Sequence, residues 1–159
     1  MKCISLWQPW ATLVAIGAKK IETRSWPIRH RGPLAIHAAK KWTLELRALI
    51  CLEPFRGVLA RAGFDPDEIE DRLPLGQIVG VVDVVDCRST NELLGCVDGT
   101  VSPLLTAQER EFGDYSHGRY GWILENPRLL DVPIPFAGRQ GLFELPTWVN
   151  ARITRGGRE

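Results

Sequence analysis

Residues 77–87, QIVGVVDVVDC, are apolar at consecutive positions and not only at alternate ones. Successive side chains of a strand point to opposite faces of its sheet, so a strand apolar on both sides needs cover on both. This run predicts a central, buried strand, and it excludes a sheet that leaves one face to water. Asp83 and Asp86 interrupt it. Their spacing puts them on opposite faces, where they read as strand-end or hydrogen-bonded aspartates, at most one of which looks into a given cleft.

The rest of the chain supplies short partners for that strand. Lys2 to Leu6 reads as a strand ending at Trp7. A helix follows, with Pro9 in its first position, Trp10, Leu13, Val14 and Ile16 at helical spacing, and Gly17 just past its end. From Lys19 to Trp26 the period returns to two, with Lys20, Glu22 and Arg24 on one side and Ile21 and Thr23 on the other. Turn signals at Pro27 and Gly32-Pro33 precede a strand from Leu34 to Ala39, and Thr43 caps a helix reaching Cys51. A further helix is predicted over Pro66 to Leu73, capped by Asp65. Thr106 and Glu109 form a capping-box pattern opening a helix to about Phe112. Tyr120 to Glu125, Leu129 to Pro133 and Gly141 to Leu145 read as three strands separated by Asn126-Pro127 and Ala137-Gly138. About six strands with a few short helices predict an α+β chain built on a small mixed β-barrel. The expected domain spans residues 1–150, and the apolar-poor tail, 151–159, is expected to fray.

With 159 residues, 45% of them apolar, the chain has the material for one core. No run approaches the ~20 apolar residues of a membrane helix, so no membrane partner is expected. Cys3, Cys51, Cys87 and Cys96 form no paired motif, and His30, His37 and His117 stand at no ligand spacing. The reading is of reduced thiols in a cytoplasmic protein without metal or cofactor.

Net charge is only +1, yet the distribution is uneven. Lys19, Lys20, Arg24, Arg29, Arg31, Lys40 and Lys41 follow one another with Glu22 as the one acid among them, a pattern suited to phosphate. Trp7, Trp10 and Trp26 flank the start of this segment. Trp10 reads as core from its helical spacing, and Trp26, after a charged strand and before a proline, as an aromatic lining an opening where a base can stack. Arginine's fixed fork suits Arg24 to orienting an anion, with Lys19 and Lys20 attracting it. Glu22 is open to two roles: a counter-ion holding the cations apart, or an acceptor or general base partnered by Lys19. The expected ligand-contacting set is Gln8, Trp10, Lys19, Lys20, Glu22, Arg24, Trp26, Arg29, Arg31 and Lys40. The expected partner is nucleic acid or a nucleotide-like ligand. The alternative is a small hydrolase acting on a modified nucleoside or RNA with Lys19 and Glu22 as its acid/base pair. No serine or cysteine nucleophile with a companion histidine stands out, and phosphate-binding glycine loops are absent.

The run ISLWQPWA at 4–11, the pattern G-x-K-x-x-E-x-R over Gly17, Lys19, Glu22 and Arg24, HRGPLAIHAAK at 30–40, VGVVDVVDC at 79–87 and NPRLL at 126–130 together resemble the ASCH family. That resemblance implies a PUA-like β-barrel whose cleft, beside the first helix and the K-x-x-E-x-R segment, holds nucleic acid or a nucleotide derivative. A bacterial branch of the superfamily cleaves N4-acylated cytidines with a lysine base and a threonine nucleophile in this segment. The lysine matches Lys19, but the threonine position is Glu22, with Thr23 one residue away on the other side. A carboxylate does not replace a hydroxyl nucleophile, so that mechanism does not transfer.

Overall fold

A computed structural model describes residues 1–64 and 73–155. Six strands form one curled, half-barrel sheet in the order β2-β5-β4-β3-β1-β6. They are β1 (Lys2–Leu6), β2 (Ile21–Arg24), β3 (Gly32–Ala38), β4 (Gln77–Ser89), β5 (Tyr120–Pro135) and β6 (Leu142–Glu144). Among the described strands β1 and β3 run parallel and the other pairings are antiparallel. The described helices are α1 (Trp10–Ala15), α2 (Leu44–Ile50), α3 (Phe55–Arg61), α4 (Thr90–Leu93), α5 (Ala107–Phe112) and α6 (Thr147–Arg155).

The expected central strand is β4, held between β3 and β5, and both of its faces are covered. On one, Val79, Val82 and Val84 join Ile4, Leu34, Ile36 and Trp122 beneath Ala11, Val14 and Ala15 of α1. On the other, Ile78 and Val81 join Cys3, Ala35 and Phe143 beneath Val149 and Ile153 of α6. Gly80 permits the close approach of α1, since a Cβ there would stand 2.6 Å from the Cβ of Ala15. Register shifts at Ile78/Gly80, Val81/Asp83 and Val84/Asp86 break the strict alternation on which the opposite facing of Asp83 and Asp86 rested. Both aspartates are nonetheless hydrogen-bonded, Asp83 by Asn126 Nδ2 at 2.8 Å and Asp86 by Arg88 Nε at 2.7 Å.

Several expectations are corrected. The segments on either side of Asn126-Pro127 are one strand, β5, because Asn126 takes φ +49° and absorbs the irregularity without ending the pairing. The tail does not fray at residues 152–155: α6 runs to Arg155, with Ile153 fully buried against Cys3 and Phe143. Two short helices went unread, α3 and α4; the second is opened by a true capping box, Ser89 with Glu92. Gly17 does follow α1, at φ +77°. Thr43 caps α2 as expected. The helix expected over Pro66 to Leu73 falls largely on residues outside those described.

Candidate functional site

The C-terminal end of β1 separates two adjoining basins. The first, of ≈ 560 Å³, lies between β1, the start of α1, β2 and the end of α5, and its lining includes Trp7, Trp10, Lys19, Glu22, Arg24, Asp114 and Arg119. The second, of ≈ 650 Å³, lies between the ends of β1 and β3 and the loop after β5, and its lining includes Lys40, Gly138 and Arg139. Ser5, Trp7 and Arg24 line both, so together the basins make a continuous cleft with these residues on its ridge.

The strand β2 aims Glu22 and Arg24 into the first basin. Arg24 Nε stands 2.9 Å from Glu22 Oε1, close enough for an ion pair although its N–H is not aligned for a hydrogen bond. Arg24 Nη2 donates to the Ser5 carbonyl at 3.3 Å, which ties the ridge to β2. Lys19 lies beneath, only 2% exposed. Its ammonium donates to the Ile21 carbonyl and stands 3.7 Å from Glu22 Oε2 and 3.9 Å from Glu109 Oε1. Glu109 is itself buried and accepts from the backbone N–H groups of Lys20 at 2.9 Å and Ile21 at 3.1 Å, and from Tyr115 Oη at 3.4 Å. Burial, with the Glu109 charge beside it, pushes the Tyr115 phenol far above its usual range. Tyr115 is therefore a hydrogen donor at neutral pH and not a base. Two buried or half-buried cations and two carboxylates thus neutralise one another in a chain, as buried charges must.

Charge in the whole first basin is balanced: Lys19, Arg24 and Arg119 face Glu22, Glu111 and Asp114. The expected cationic character belongs to the second basin, where Arg24, Lys40 and Arg139 line the wall without a carboxylate. Lys41 adds to it from the rim, its ammonium 3.9 Å above the Trp7 ring.

The expected contact set divides accordingly. Trp10, Lys19, Glu22 and Arg24 line the first basin and Lys40 the second. Lys20 lines neither basin but a ≈ 360 Å³ pocket beside Asn126 and Pro127, which Lys19 also borders. Gln8 is fully buried and its amide is consumed internally, donating to Thr12 Oγ1 at 2.8 Å and Pro74 O at 3.0 Å while accepting from Thr12 N at 3.1 Å. Trp26 lines neither basin; it packs edge-on against Trp122, ring centroids 4.7 Å apart, and its carbonyl accepts from the Trp122 indole. Arg31 bonds the carbonyls of Ile28 and His30 and stands 3.7 Å from Asp86. Arg29, two residues earlier, is exposed and lines neither basin. The exposed tryptophan of the cleft is Trp7, at 47% exposure, a residue whose place at the end of β1 was the available signal. Glu109 was visible only as a capping residue. Thr106 Oγ1 does accept from Glu109 N, but the Glu109 carboxylate turns away from the cap toward β2.

A curled mixed sheet with a cleft at the end of its first strand, floored by a Lys–Glu–Arg segment, defines a PUA-like domain. The sequence model of the ASCH domain matches residues 4–132, and the chain belongs to that family. It is 28% identical to activating signal cointegrator 1 of Mus musculus and of Homo sapiens over 97% of its length, and spans only 24% of each of those proteins. The crystal structure of ASCH from Zymomonas mobilis matches the fold with a TM-score of 0.55 at 16% identity, covering 97% of this chain and 93% of that one. A mutant of the Zymomonas protein matches with a TM-score of 0.53 at 17% identity, over 97% and 94% of the two chains. Among the described residues no helix is long and apolar enough to cross a membrane.

Proposed function

We propose that this ASCH domain binds nucleic acid, RNA or single-stranded DNA, along the two-basin cleft. One observation carries the reading: half-exposed Trp7 stands on the ridge with Arg24, Lys40 and Arg139 on the acid-free side of it. An indole offers a face to any unpaired base, and guanidinium and ammonium groups beside it match the phosphates that follow that base. Lys41 over the Trp7 ring couples the stacking face to a phosphate-seeking cation. Anisotropy titration of a labelled single-stranded RNA at several salt concentrations tests this. Trp7→Ala is expected to weaken binding by about 1–3 kcal/mol, the measured range for one base stacked on an aromatic. Unchanged affinity in both Trp7→Ala and Arg24→Ala would reject the cleft as the binding surface.

A second reading, a hydrolase acting on a modified nucleoside or RNA, is favoured by the 3.7 Å approach of Lys19 to Glu22 in the lining of the first basin. In that reading Glu22 takes a proton from water or a hydroxyl and the Lys19 ammonium steadies the charge that results. Turnover surviving intact in Glu22→Gln would remove it.

A further inference from the structure

Ser5 and His37 are partners in the parallel register of β1 and β3, on the face that also carries Cys3 and Ala35. Their side chains meet, with Ser5 Oγ 3.0 Å from His37 Nδ1. The other ring nitrogen, Nε2, stands 3.0 Å from the carbonyl oxygen of Phe136. A carbonyl only accepts, so Nε2 carries the proton, and in the neutral ring Nδ1 is left as an acceptor aimed at the serine hydroxyl. Burial lowers the pKa of His37, which favours the neutral ring whose Nδ1 lone pair is free to accept. This is the relation of a nucleophile to its base, with a backbone carbonyl orienting the ring where other sites use a carboxylate.

Two further observations separate this pair from an ordinary contact between neighbouring strands. Ser5 is only partly buried and lines both basins, whereas His37 lines the second from within the sheet. The loop after β5 crosses the pair at Gly138, where a Cβ would fall 2.7 Å from Ser5 Oγ and 2.4 Å from His37 Cε1. Only glycine lets the loop pass this close without displacing either side chain.

We propose that Ser5 is the nucleophile and His37 the general base of an acyl-transfer site that cleaves small carboxylic esters bearing a negative charge. Ser5 Oγ bonds to the ester carbonyl carbon as its proton passes to His37 Nδ1. The ester C–O bond then breaks, and the leaving oxygen takes the proton from His37 to depart as an alcohol. Water, deprotonated by the same nitrogen, attacks the acyl-serine; the bond to Oγ breaks, Oγ recovers the proton, and a carboxylic acid leaves. Arg24, whose Nη2 donates to the Ser5 carbonyl at 3.3 Å, lines the basin beside the pair and supplies a cation for the charge that develops on the substrate oxygen. The acid-free lining by Arg24, Lys40 and Arg139 selects an anionic ester over a neutral one. The site shares the second basin with the nucleic-acid reading but turns on Ser5 and His37, which that reading does not use, so the failure of one leaves the other standing.

The test combines covalent labelling with turnover on the full chain. A fluorophosphonate probe followed by peptide mass spectrometry is expected to mark Ser5, with Ser5→Ala unlabelled and His37→Asn labelled about 100-fold more slowly. Gly138→Ala, whose backbone needs no left-handed conformation, is expected to lose labelling while far-ultraviolet dichroism stays unchanged. Acetylated glycerol phosphate is expected to be hydrolysed in preference to acetylated glycerol. Labelling that is absent, or that persists in Ser5→Ala, overturns the proposal. So does undiminished labelling in Gly138→Ala, which keeps the test decisive should His37→Asn fail to fold. Equal hydrolysis of the two esters overturns the charge selection.

Discussion

The two basins share Ser5, Trp7 and Arg24, yet they treat charge in opposite ways. In the first, Lys19 and Glu109 are buried and, with Glu22 and Arg24, satisfy one another across 2.9 to 3.9 Å. In the second, Lys40 and Arg139 meet no acid in the lining. Charges that neutralise one another under cover hold the fold together and present little field outward, while unpaired cations at a surface attract an anion from a distance. A basic stretch of sequence therefore does not mark a basic surface. Of the seven cations between Lys19 and Lys41, Lys19 is buried between Glu22 and Glu109, Lys20 opens on another pocket, and Arg31 is engaged with Asp86 and nearby carbonyls.

Stability gives the strongest contrast between the basins. Lys19→Met strands two carboxylates beside a buried apolar chain, and breaking a buried pair in this way costs about 3–5 kcal/mol. Urea denaturation should register that loss, whereas Arg139→Ala on the second basin should leave the midpoint in place. If the two variants unfold alike, the distinction between a structural and a ligand-facing basin is gone.

Binding should reverse the order. Trp7→Ala is expected to reduce RNA affinity by the ~1–3 kcal/mol of a lost stack while denaturing as the wild type does. Smaller again, Lys40→Ala and Arg139→Ala are each expected to flatten the slope of log K against log salt by about 1 and to weaken all sequences evenly. Glu111→Gln, in the balanced basin, should leave that slope unchanged.

The smallest effect is a pH dependence in the second basin. Burial lowers the pKa of His37 in the folded chain, so the unfolded chain binds a proton first as pH falls below about 6.5. Stability from this residue is accordingly intact above that pH and declines as pH drops toward the folded value. The decline is at most ~1.4 kcal/mol per pH unit for one proton. Comparing denaturation midpoints of wild type and His37→Gln across that range checks the sign.

Local pattern disclosed the strands well because burial on both faces of β4 leaves an unbroken apolar run, and it disclosed α1, α2 and α5 through Gly17, Thr43 and Thr106. It divided β5 at Asn126-Pro127, since turn chemistry cannot reveal that pairing with β4 continues across the irregularity. For the site, the Lys-x-x-Glu-x-Arg spacing located one wall, whereas Glu109, Tyr115 and Arg139 arrive from segments some ninety or more residues further along the chain. Ser5 and His37, 32 positions apart, become neighbours only through the parallel pairing of β1 with β3. Trp26 is packed and Trp7 exposed for a tertiary reason: Trp122 offers Trp26 an aromatic edge, while Trp7 has a lysine above it in place of a core.

Strand β2 pairs only with β5, and its outer border would offer unspent backbone groups to any extended chain. Side chains of the first basin and the Glu109 beneath it occupy that border: Glu109 accepts from the Ile21 N–H, Lys19 donates to the Ile21 carbonyl, and Arg119 Nη2 donates to the Thr23 carbonyl at 3.3 Å. The same charges that floor the cleft thus act as a seal against strand addition. Loosening Glu109 or Arg119 would open that border to pairing with further copies of the chain, so lost activity in such variants is to be read beside their sedimentation before it is ascribed to chemistry.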